Sequence, residues 1–159
     1  RWRDPWNPVL PSWCAVRITS CKARVFVIRG SLIEQGHEPV LLDNLCNSKP
    51  AVLDRITALT GQRPLLVHAD VRDSAVVEKT LREHQLEAVI HFAALKAVGE
   101  SVEQPLAYYD NNINGTLSLL AAMRRADVKT LVFSSSATVY SADQPMPLRE
   151  DGALGASNP

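Results

Sequence analysis

The chain has 159 residues, and its 17 Lys and Arg residues balance its 17 Asp and Glu residues, so the formal net charge is zero. Hydrophobic residues make up 46% and charged residues 21%, the proportions of a globular domain that buries a core. The zero net charge argues against a nucleic-acid partner and against an acidic disordered tail. No apolar run approaches the roughly 18 residues that cross a bilayer, so we expect no membrane partner.

The cysteine content indicates no covalent framework. Cys14, Cys21 and Cys46 form an odd set without Cys-x-x-Cys spacing, so we predict neither disulfides nor a metal site. Free thiols are typical of a reducing compartment. A weakly apolar stretch over residues 9–16 is interrupted by Pro11 and lacks a convincing cleavage site, so we expect a cytoplasmic protein.

Residues 1–22 differ in composition from the rest of the chain. All three tryptophans, Trp2, Trp6 and Trp13, lie there among prolines, and no helical or alternating apolar pattern runs through them. We interpret residues 1–22 as a disordered or foreign extension that packs poorly. An aromatic peptide that docks on another surface is the alternative.

From residue 23 onward, short apolar strands alternate with helical segments. In chain order the predicted elements are a strand at 24–28, the end of a helix at 31–35, a strand at 39–42, a helix at 51–59, a strand at 64–68, a helix at 74–84, a strand at 88–92, a helix at 106–126 and a strand at 130–133. Gly36 and Gly61 end two helices, and Asp73 or Ser74 begins another. In the longest helix Leu117, Leu120 and Ala121 share one face.

This alternation predicts the fold class. Strands that are apolar almost throughout are buried on both faces, which is typical of a parallel sheet covered by helices. Right-handed crossovers then favour a doubly wound α/β fold. Ligands in such sheets bind beyond the carboxyl ends of the strands, so the residues that follow each strand are the candidate site.

Two acids and a lysine stand at these strand ends. Asp43 closes the second strand, where an acid hydrogen-bonds the ribose of NAD, although a turn or cap aspartate is equally consistent with the spacing. Asp70 closes the third strand, where it either accepts from an adenine amino group or caps the next helix. Lys96 follows the fourth strand and either faces a cofactor or is merely solvated.

Amide and imidazole side chains nearby are less specific. Asn111 and Asn112 lie early in the longest helix, where they either reach the crevice or bridge backbone groups. His91 lies inside a strand and is better interpreted as a hydrogen-bonded core residue than as a ligand. Ser136, taken alone, is a strand-end hydroxyl without a histidine partner that would make it a nucleophile.

Five segments in order resemble the UDP-glucose 4-epimerases of the extended short-chain dehydrogenase/reductase family. They are DNLCNS at 43–48, HFAALK at 91–96, AVGES at 97–101, YYDNNINGT at 108–116 and FSSSATVY at 133–140. The resemblance covers residues 24–159 and implies a Rossmann-type sheet. It also implies tightly bound NAD, a UDP-sugar substrate, epimerisation at C4 between UDP-glucose and UDP-galactose, a place in galactose metabolism and a possible homodimer in the full-length family.

The resemblance also assigns site residues. Ser136 would be catalytic, holding the sugar 4-hydroxyl by a hydrogen bond, while Ser134 and Ser135 would shape the site. The cofactor-binding residues implied by the family are Asp43, Asn44, Asn47, Ser48, Asp70, Val71, Phe92, Ala93, Ala94, Leu95, Lys96 and Asn111.

Two departures from the family pattern stand out. The family follows its first strand with a G-x-x-G-x-x-G turn that holds the pyrophosphate, but here residues 29–31 carry only Gly30. The family's Tyr-x-x-x-Lys pair, which supplies the general base, also has no counterpart in the chain.

These departures set the expected activity. We expect residues 23–159 to form a partial NAD-binding domain without the C-terminal sugar-nucleotide-binding part. We also expect that the chain alone is inactive and binds NAD weakly or not at all. The alternatives are a non-catalytic NAD-binding or interaction module and the non-functional product of a truncated gene.

Overall fold

A computed structural model describes residues 32–136, 139–141 and 143–155. The predicted extension at 1–22, the strand at 24–28 and the shortened turn at 29–31 lie outside the described residues. A short helical stretch over 32–34 ends at Gly36, whose φ of 84° is the left-handed conformation that favours glycine. The predicted end of the first helix is therefore confirmed over its described part.

Four described strands pair in parallel, two by two. They are β1 (Val40–Asp43), β2 (Leu65–His68), β3 (Ala88–His91) and β4 (Thr130–Phe133). Strand β1 pairs with β2, with Val40 opposite Leu65, and β3 pairs with β4, with Ala88 opposite Thr130. The parallel arrangement confirms the predicted α/β class, and the strand ends lie within a residue or so of the predicted ones.

The helices fall between the strands, as a parallel pairing requires. They are α1 (Ala51–Thr60), α2 (Ser74–Glu83), α3 (Val98–Glu103), α4 (Pro105–Tyr108), a π-helical turn (Tyr109–Asn114) and α5 (Gly115–Ala126). Gly61 ends α1 with a φ of 72°, and the Asp73 carboxylate caps α2 by accepting from the N–H groups of Ala75 and Val76. None of the described helices is long and apolar enough to cross a membrane.

One apolar core joins the two strand pairs. Its buried members come from β1, β3, α2, α5 and the turns between them: Val40, Leu42, Val71, Val77, Leu81, Leu86, Val89, Ala93, Leu119, Ala122, Met123 and Val128. On the opposite face of β1, the buried Leu41 lines a small cavity with Leu53 of α1 and Leu66 of β2. Helices therefore cover both faces of this strand, as the doubly wound fold predicts.

The longest predicted helix differs from expectation in two ways. Residues 106–126 are not one α-helix, because the π-helical turn separates α4 from α5. Leu117 and Leu120 are 59% and 43% exposed, whereas Leu119, Ala122 and Met123 are buried. Apolar residues lie on two sides of α5, so periodicity alone does not identify the side that packs on the sheet.

A further helix was not predicted from the sequence. Helix α3 covers six residues and contains Gly99, whose helix propensity is low, so neither length nor composition indicates a helix there.

Helix α5 approaches the turn after β2 very closely at Gly115. A Cβ atom placed on Gly115 would lie 2.7 Å from Cγ1 of Val71, which is closer than real side chains pack. Val71 is fully buried and belongs to the core. The absence of a side chain at residue 115 therefore sets how near α5 comes to the carboxyl end of β2.

Gly115→Ala should destabilise the fold by about 1–3 kcal/mol, the usual cost of overpacking a core. Chemical denaturation of the chain measures this change in the free energy of unfolding. Combining it with Val71→Ala should recover part of the loss, because the clashing methyl is removed. Gly99→Ala is the matched control, since its added Cβ meets nothing within 4 Å. A Gly115→Ala variant as stable as the parent chain would contradict this packing.

Candidate functional site

Asp43, the last residue of β1, is buried and shapes the turn that follows it. Its Oδ1 accepts from the Leu45 N–H at 2.9 Å, and its Oδ2 accepts from the Ser48 hydroxyl at 3.0 Å. Leu45 adopts a φ of 58°, a left-handed conformation that this turn imposes. Asp43 and Ser48, both predicted to bind the cofactor, are thus in direct contact, while Asn47 is exposed on the same turn.

Asp70 and Asn44 are also brought together, across the carboxyl ends of β1 and β2. The Asn44 amide donates to Asp70 Oδ2 at 2.8 Å. Arg72 donates its Nε to Asp70 Oδ1 at 2.9 Å, its Nη2 to Oδ2 at 2.8 Å, and its backbone N–H to Oδ1 at 2.9 Å. The Arg72 guanidinium holds the pKa of the Asp70 carboxyl well below its usual range, against the opposing effect of burial.

The capping alternative for Asp70 is not what the structure shows. Helix α2 is capped by Asp73, three residues later, while the Asp70 carboxylate is bound by Arg72 and Asn44. Val71, predicted beside it, places its side chain in the core against Gly115. Only the backbone of Val71 therefore remains to line a ligand site.

The segment after β3 is fastened by an asparagine of the π-helical turn. Asn112 accepts from the Leu95 N–H at 2.8 Å and donates to the Leu95 carbonyl at 3.0 Å. Asn111 donates its amide to Asn112 Oδ1 at 2.9 Å. Of the two roles predicted for these asparagines, the structure shows backbone bridging by Asn112. The Asn111 amide holds the Asn112 side chain in this position.

The other predicted residues of this segment differ in exposure. Ala93 is buried, Phe92 and Ala94 are half-buried, and Lys96 is exposed. The Tyr108 hydroxyl accepts from the Ala97 N–H at 3.2 Å, which fastens the end of the segment.

His91 is a core residue, as predicted, and it supports the asparagine contact. Its Nε2 lies 3.1 Å from the Thr116 hydroxyl oxygen, and that hydroxyl donates to the Asn112 carbonyl at 2.6 Å. Because the hydroxyl proton is used in the second bond, the His91 Nε2 carries a proton and donates in the first. The buried Nδ1 has no hydrogen-bond partner among the described residues.

The serines after β4 begin beside His91. The Ser134 N–H donates to the His91 carbonyl at 3.0 Å, which continues the parallel pairing of β3 with β4. Ser136 is exposed, and its carbonyl accepts from the Val139 N–H at 3.3 Å. Within the part of the chain that the structure describes, no cluster of His, Cys, Asp or Glu side chains is suited to a metal ion.

Arg72 and Asp110 join the site in the structure, although no sequence motif indicated them. Arg72 Nη1 donates to Asp110 Oδ2 at 2.5 Å, which ties the turn after β2 to the π-helical turn. The contact of Arg72 with Asp70 was predictable, because an arginine two residues after a strand-end aspartate can reach it. The contact of Arg72 with Asp110 was not, because the two residues lie 38 positions apart.

Residues 28–159 match the sequence profile of the NAD dependent epimerase/dehydratase family. The chain belongs to this family. Among its relatives, a UDP-glucose 4-epimerase of Yersinia pestis is 56% identical over 125 residues, which are 79% of this chain and 37% of that protein. A UDP-glucose 4-epimerase of Klebsiella pneumoniae is 57% identical over 114 residues, which are 72% of this chain and 81% of that sequence.

Solved structures give the same result for the fold of this epimerase-family chain. The UDP-glucose-4-epimerase of Stenotrophomonas maltophila with bound NAD and formylated UDP-arabinopyranose superposes with a TM-score of 0.83 at 43% identity, covering 91% of this chain and 43% of that one. The UDP-glucose 4-epimerase of Bifidobacterium longum in complex with NAD+ and UDP also gives 0.83, at 39% identity, covering 89% of this chain and 42% of that one. The predicted resemblance, the Rossmann-type fold and NAD as the family's cofactor are confirmed.

The buried imidazole of His91 should make stability depend on pH. Burial lowers the pKa of His91 to about 4, whereas an unfolded histidine titrates near 6.5. Because the unfolded chain binds the proton first, this contribution is complete above about pH 6.5 and is lost as the pH falls towards 4, by roughly 3 kcal/mol at pH 4. The measurement is the free energy of unfolding between pH 7 and pH 4.

The control is His91→Gln, which retains a donor towards Thr116 but does not titrate. Its free energy of unfolding should vary less over the same pH range, whatever its absolute value. Equal pH dependence in the two chains would show that His91 does not titrate in this way.

Proposed function

We propose that this chain forms the cofactor-binding part of an NAD-dependent epimerase that inverts C4 of UDP-glucose and UDP-galactose. The same proposal includes a role in galactose metabolism and a cytoplasmic location. The observation that carries the proposal is the contact of Asn44 with Asp70, next to the buried Asp43, at the carboxyl ends of two parallel strands. The names of the relatives support the same reaction.

The residues fit the adenosine end of NAD in their chemistry. A buried carboxylate held by its own turn, as in Asp43, is the acceptor that ribose hydroxyls need, and it disfavours a 2′-phosphate. Ser48 contacts Asp43, Asn44 follows it in the chain, and Val71 follows Asp70, which Asn44 contacts. Phe92 and the segment that Asn112 fastens would line the remainder of the cofactor.

Ser136 would take part in the chemistry on the sugar. When bound, NAD supplies the hydride acceptor for C4. The Ser136 hydroxyl would hold the sugar 4-hydroxyl by a hydrogen bond, which orients the proton that a general base removes. The family's tyrosine base has no counterpart in the 159 residues, so the reaction is best tested in a chimera.

In the chimera, residues 36–155 replace the matched segment of the Yersinia pestis epimerase. We expect epimerisation of UDP-galactose within about tenfold of the parent enzyme, because a difference of that size is only ~1.4 kcal/mol. Ser136→Ala should then lower kcat by about 10²-fold or more with little change in KM. Ser136→Thr, which keeps the hydroxyl, should restore part of the rate. An inactive but folded and NAD-loaded chimera would favour a non-catalytic module instead.

The chain alone should bind NAD weakly, because only Gly30 is available for the turn that approaches the pyrophosphate. The remaining polar contacts, each worth ~0.5–1.5 kcal/mol, have to offset an association cost of at least ~4 kcal/mol. Calorimetric titration with NAD should show no saturation below millimolar concentration. Micromolar or tighter binding would contradict this and would favour an NAD-sensing module.

We also propose that the chain forms a homodimer through the exposed apolar side chains of its longest helical region. They run along α4, the π-helical turn and α5 as an apolar stripe of Leu106, Tyr109, Ile113, Leu117 and Leu120. Val98 and Val102 of α3 extend the same type of surface. Exposed apolar side chains in such number are typical of an interface between subunits.

Light scattering should give twice the monomer mass for the parent chain, and the double variant Ile113→Glu/Leu117→Glu should be monomeric. Two buried carboxylates on each subunit would be desolvated without partners, which such an interface does not tolerate. Leu59→Glu is the matched control, because Leu59 of α1 is similarly exposed but lies outside the stripe. A parent chain that is already monomeric would rule out this interface.

A further inference from the structure

Lys96 lies between two backbone hydrogen bonds that α4 and the π-helical turn provide. On its N-terminal side, the Leu95 carbonyl accepts from the Asn112 amide at 3.0 Å. On its C-terminal side, the Ala97 N–H donates to the Tyr108 hydroxyl at 3.2 Å. Each bond fixes one of the two planar peptide groups that flank Lys96, so the origin of its side chain is set before a ligand binds.

The Tyr108 hydroxyl makes a second bond, to the first turn of α3. It donates its proton to Glu100 Oε2 at 2.8 Å, and the Ser101 N–H donates to the Ala97 carbonyl at 3.0 Å where that helix begins. Tyr108 is only 4% exposed, so packing around its ring fixes the position of the hydroxyl. A hydroxyl that donates to a carboxylate is also a better acceptor, because hydrogen bonds in a chain polarise one another. Glu100 therefore strengthens the contact of Tyr108 with Ala97.

The protonation state of Tyr108 limits what this hydroxyl can do. Burial raises the pKa of Tyr108 above its ordinary value, and the hydrogen bond to the Glu100 carboxylate raises it further. The phenol therefore keeps its proton at neutral pH and does not serve as a general base. Its hydrogen bonds hold the backbone instead.

Lys96 stands where a positive charge can meet a ligand. It follows β3 at the carboxyl edge of the sheet, where ligands of parallel sheets bind, and it is exposed. Only Gly30 is available for the turn that would offer backbone N–H groups to a pyrophosphate. The placement of the Lys96 ammonium group therefore affects how tightly the phosphates of a nucleotide bind.

We propose that Tyr108, supported by Glu100, is a positioning residue that holds Lys96 towards the pyrophosphate of the nucleotide cofactor. Tyr108 acts through the backbone at Ala97 and does not contact the ligand itself. The inference rests on the proposed function, because it requires a nucleotide site at the carboxyl ends of the strands. It adds to that site a tyrosine and a glutamate from two neighbouring helices.

The experiment compares two ligands that differ only in the pyrophosphate. The 159-residue chain is titrated with ADP and with adenosine, and both dissociation constants are obtained from amide chemical shifts at millimolar ligand. Tyr108→Phe should lower the affinity for ADP about fivefold, because a displaced lysine loses its contact with a phosphate, and should leave the affinity for adenosine within about twofold. Tyr109→Phe is the matched control, because this neighbouring tyrosine is 46% exposed, and both of its constants should equal those of the parent.

Lys96→Met tests whether Tyr108 acts through the lysine. It should lower the affinity for ADP about tenfold and leave that for adenosine unchanged, and the addition of Tyr108→Phe should then change neither constant further. Glu100→Ala, at an exposed position that folding tolerates, should lower the affinity for ADP about twofold. Glu100→Gln still accepts from the phenol and should resemble the parent. The two Glu100 variants test the inference even if Tyr108→Phe does not fold.

The outcomes separate this inference from the function on which it rests. Equal losses for ADP and adenosine in Tyr108→Phe would show a purely structural role, which overturns the inference. A loss for ADP that persists in the presence of Lys96→Met, or constants that none of the Lys96, Tyr108 and Glu100 variants changes, would overturn it too and leave the nucleotide site intact. If neither ligand shifts any amide of the parent chain, the nucleotide site itself is refuted, and the inference with it.

Discussion

Because residue 115 has no side chain, the backbone of helix α5 lies against Val71, at the carboxyl end of β2. A methyl group at residue 115 would require α5 or Val71 to move. This close approach brings the polar residues of the π-helical turn and of the first turn of α5 to the edge of the sheet. Asp110 and Ser118 reach Arg72, and Asn112 reaches the segment after β3. The arrangement of the site thus depends on one apolar contact in the core beneath it.

The polar residues at this edge hold one another before any ligand arrives. Asp43 fixes its own turn, Asn112 fixes Leu95 at both backbone groups, and Arg72 joins two acids from different elements. A site whose side chains are already fixed loses less conformational entropy on binding than one that must order itself. The same contacts limit what a ligand can add, since donors and acceptors in use must be exchanged for new ones.

Features set by residues close together in the chain were predictable from the sequence, whereas contacts between residues far apart in the chain were not. The four described strands, the acids that follow two of them and the glycine-terminated helices follow from patterns of a few residues, and these agree with the structure. The roles of Arg72 and Asn112 depend on partners 38 and 17 residues away, which no local pattern specifies. The buried side of α5 was not predictable because Leu117 and Leu120 form an apolar face as regular as that of Leu119 and Met123.

The π-helical turn has a consequence for the phase of the helical region. In its wider turn the Gly115 N–H donates to the carbonyl of Asp110, five residues earlier, where an α-helix would use the fourth. Each residue of an α-helix advances by about 100°, so one additional residue in a turn rotates everything before it relative to everything after it. Asn112 therefore points to Leu95, while Gly115 packs against Val71. A regular α-helix without the additional residue would not direct both positions in this way. The additional residue allows one continuous helical region to direct polar side chains to the edge of the sheet and apolar residues to the core.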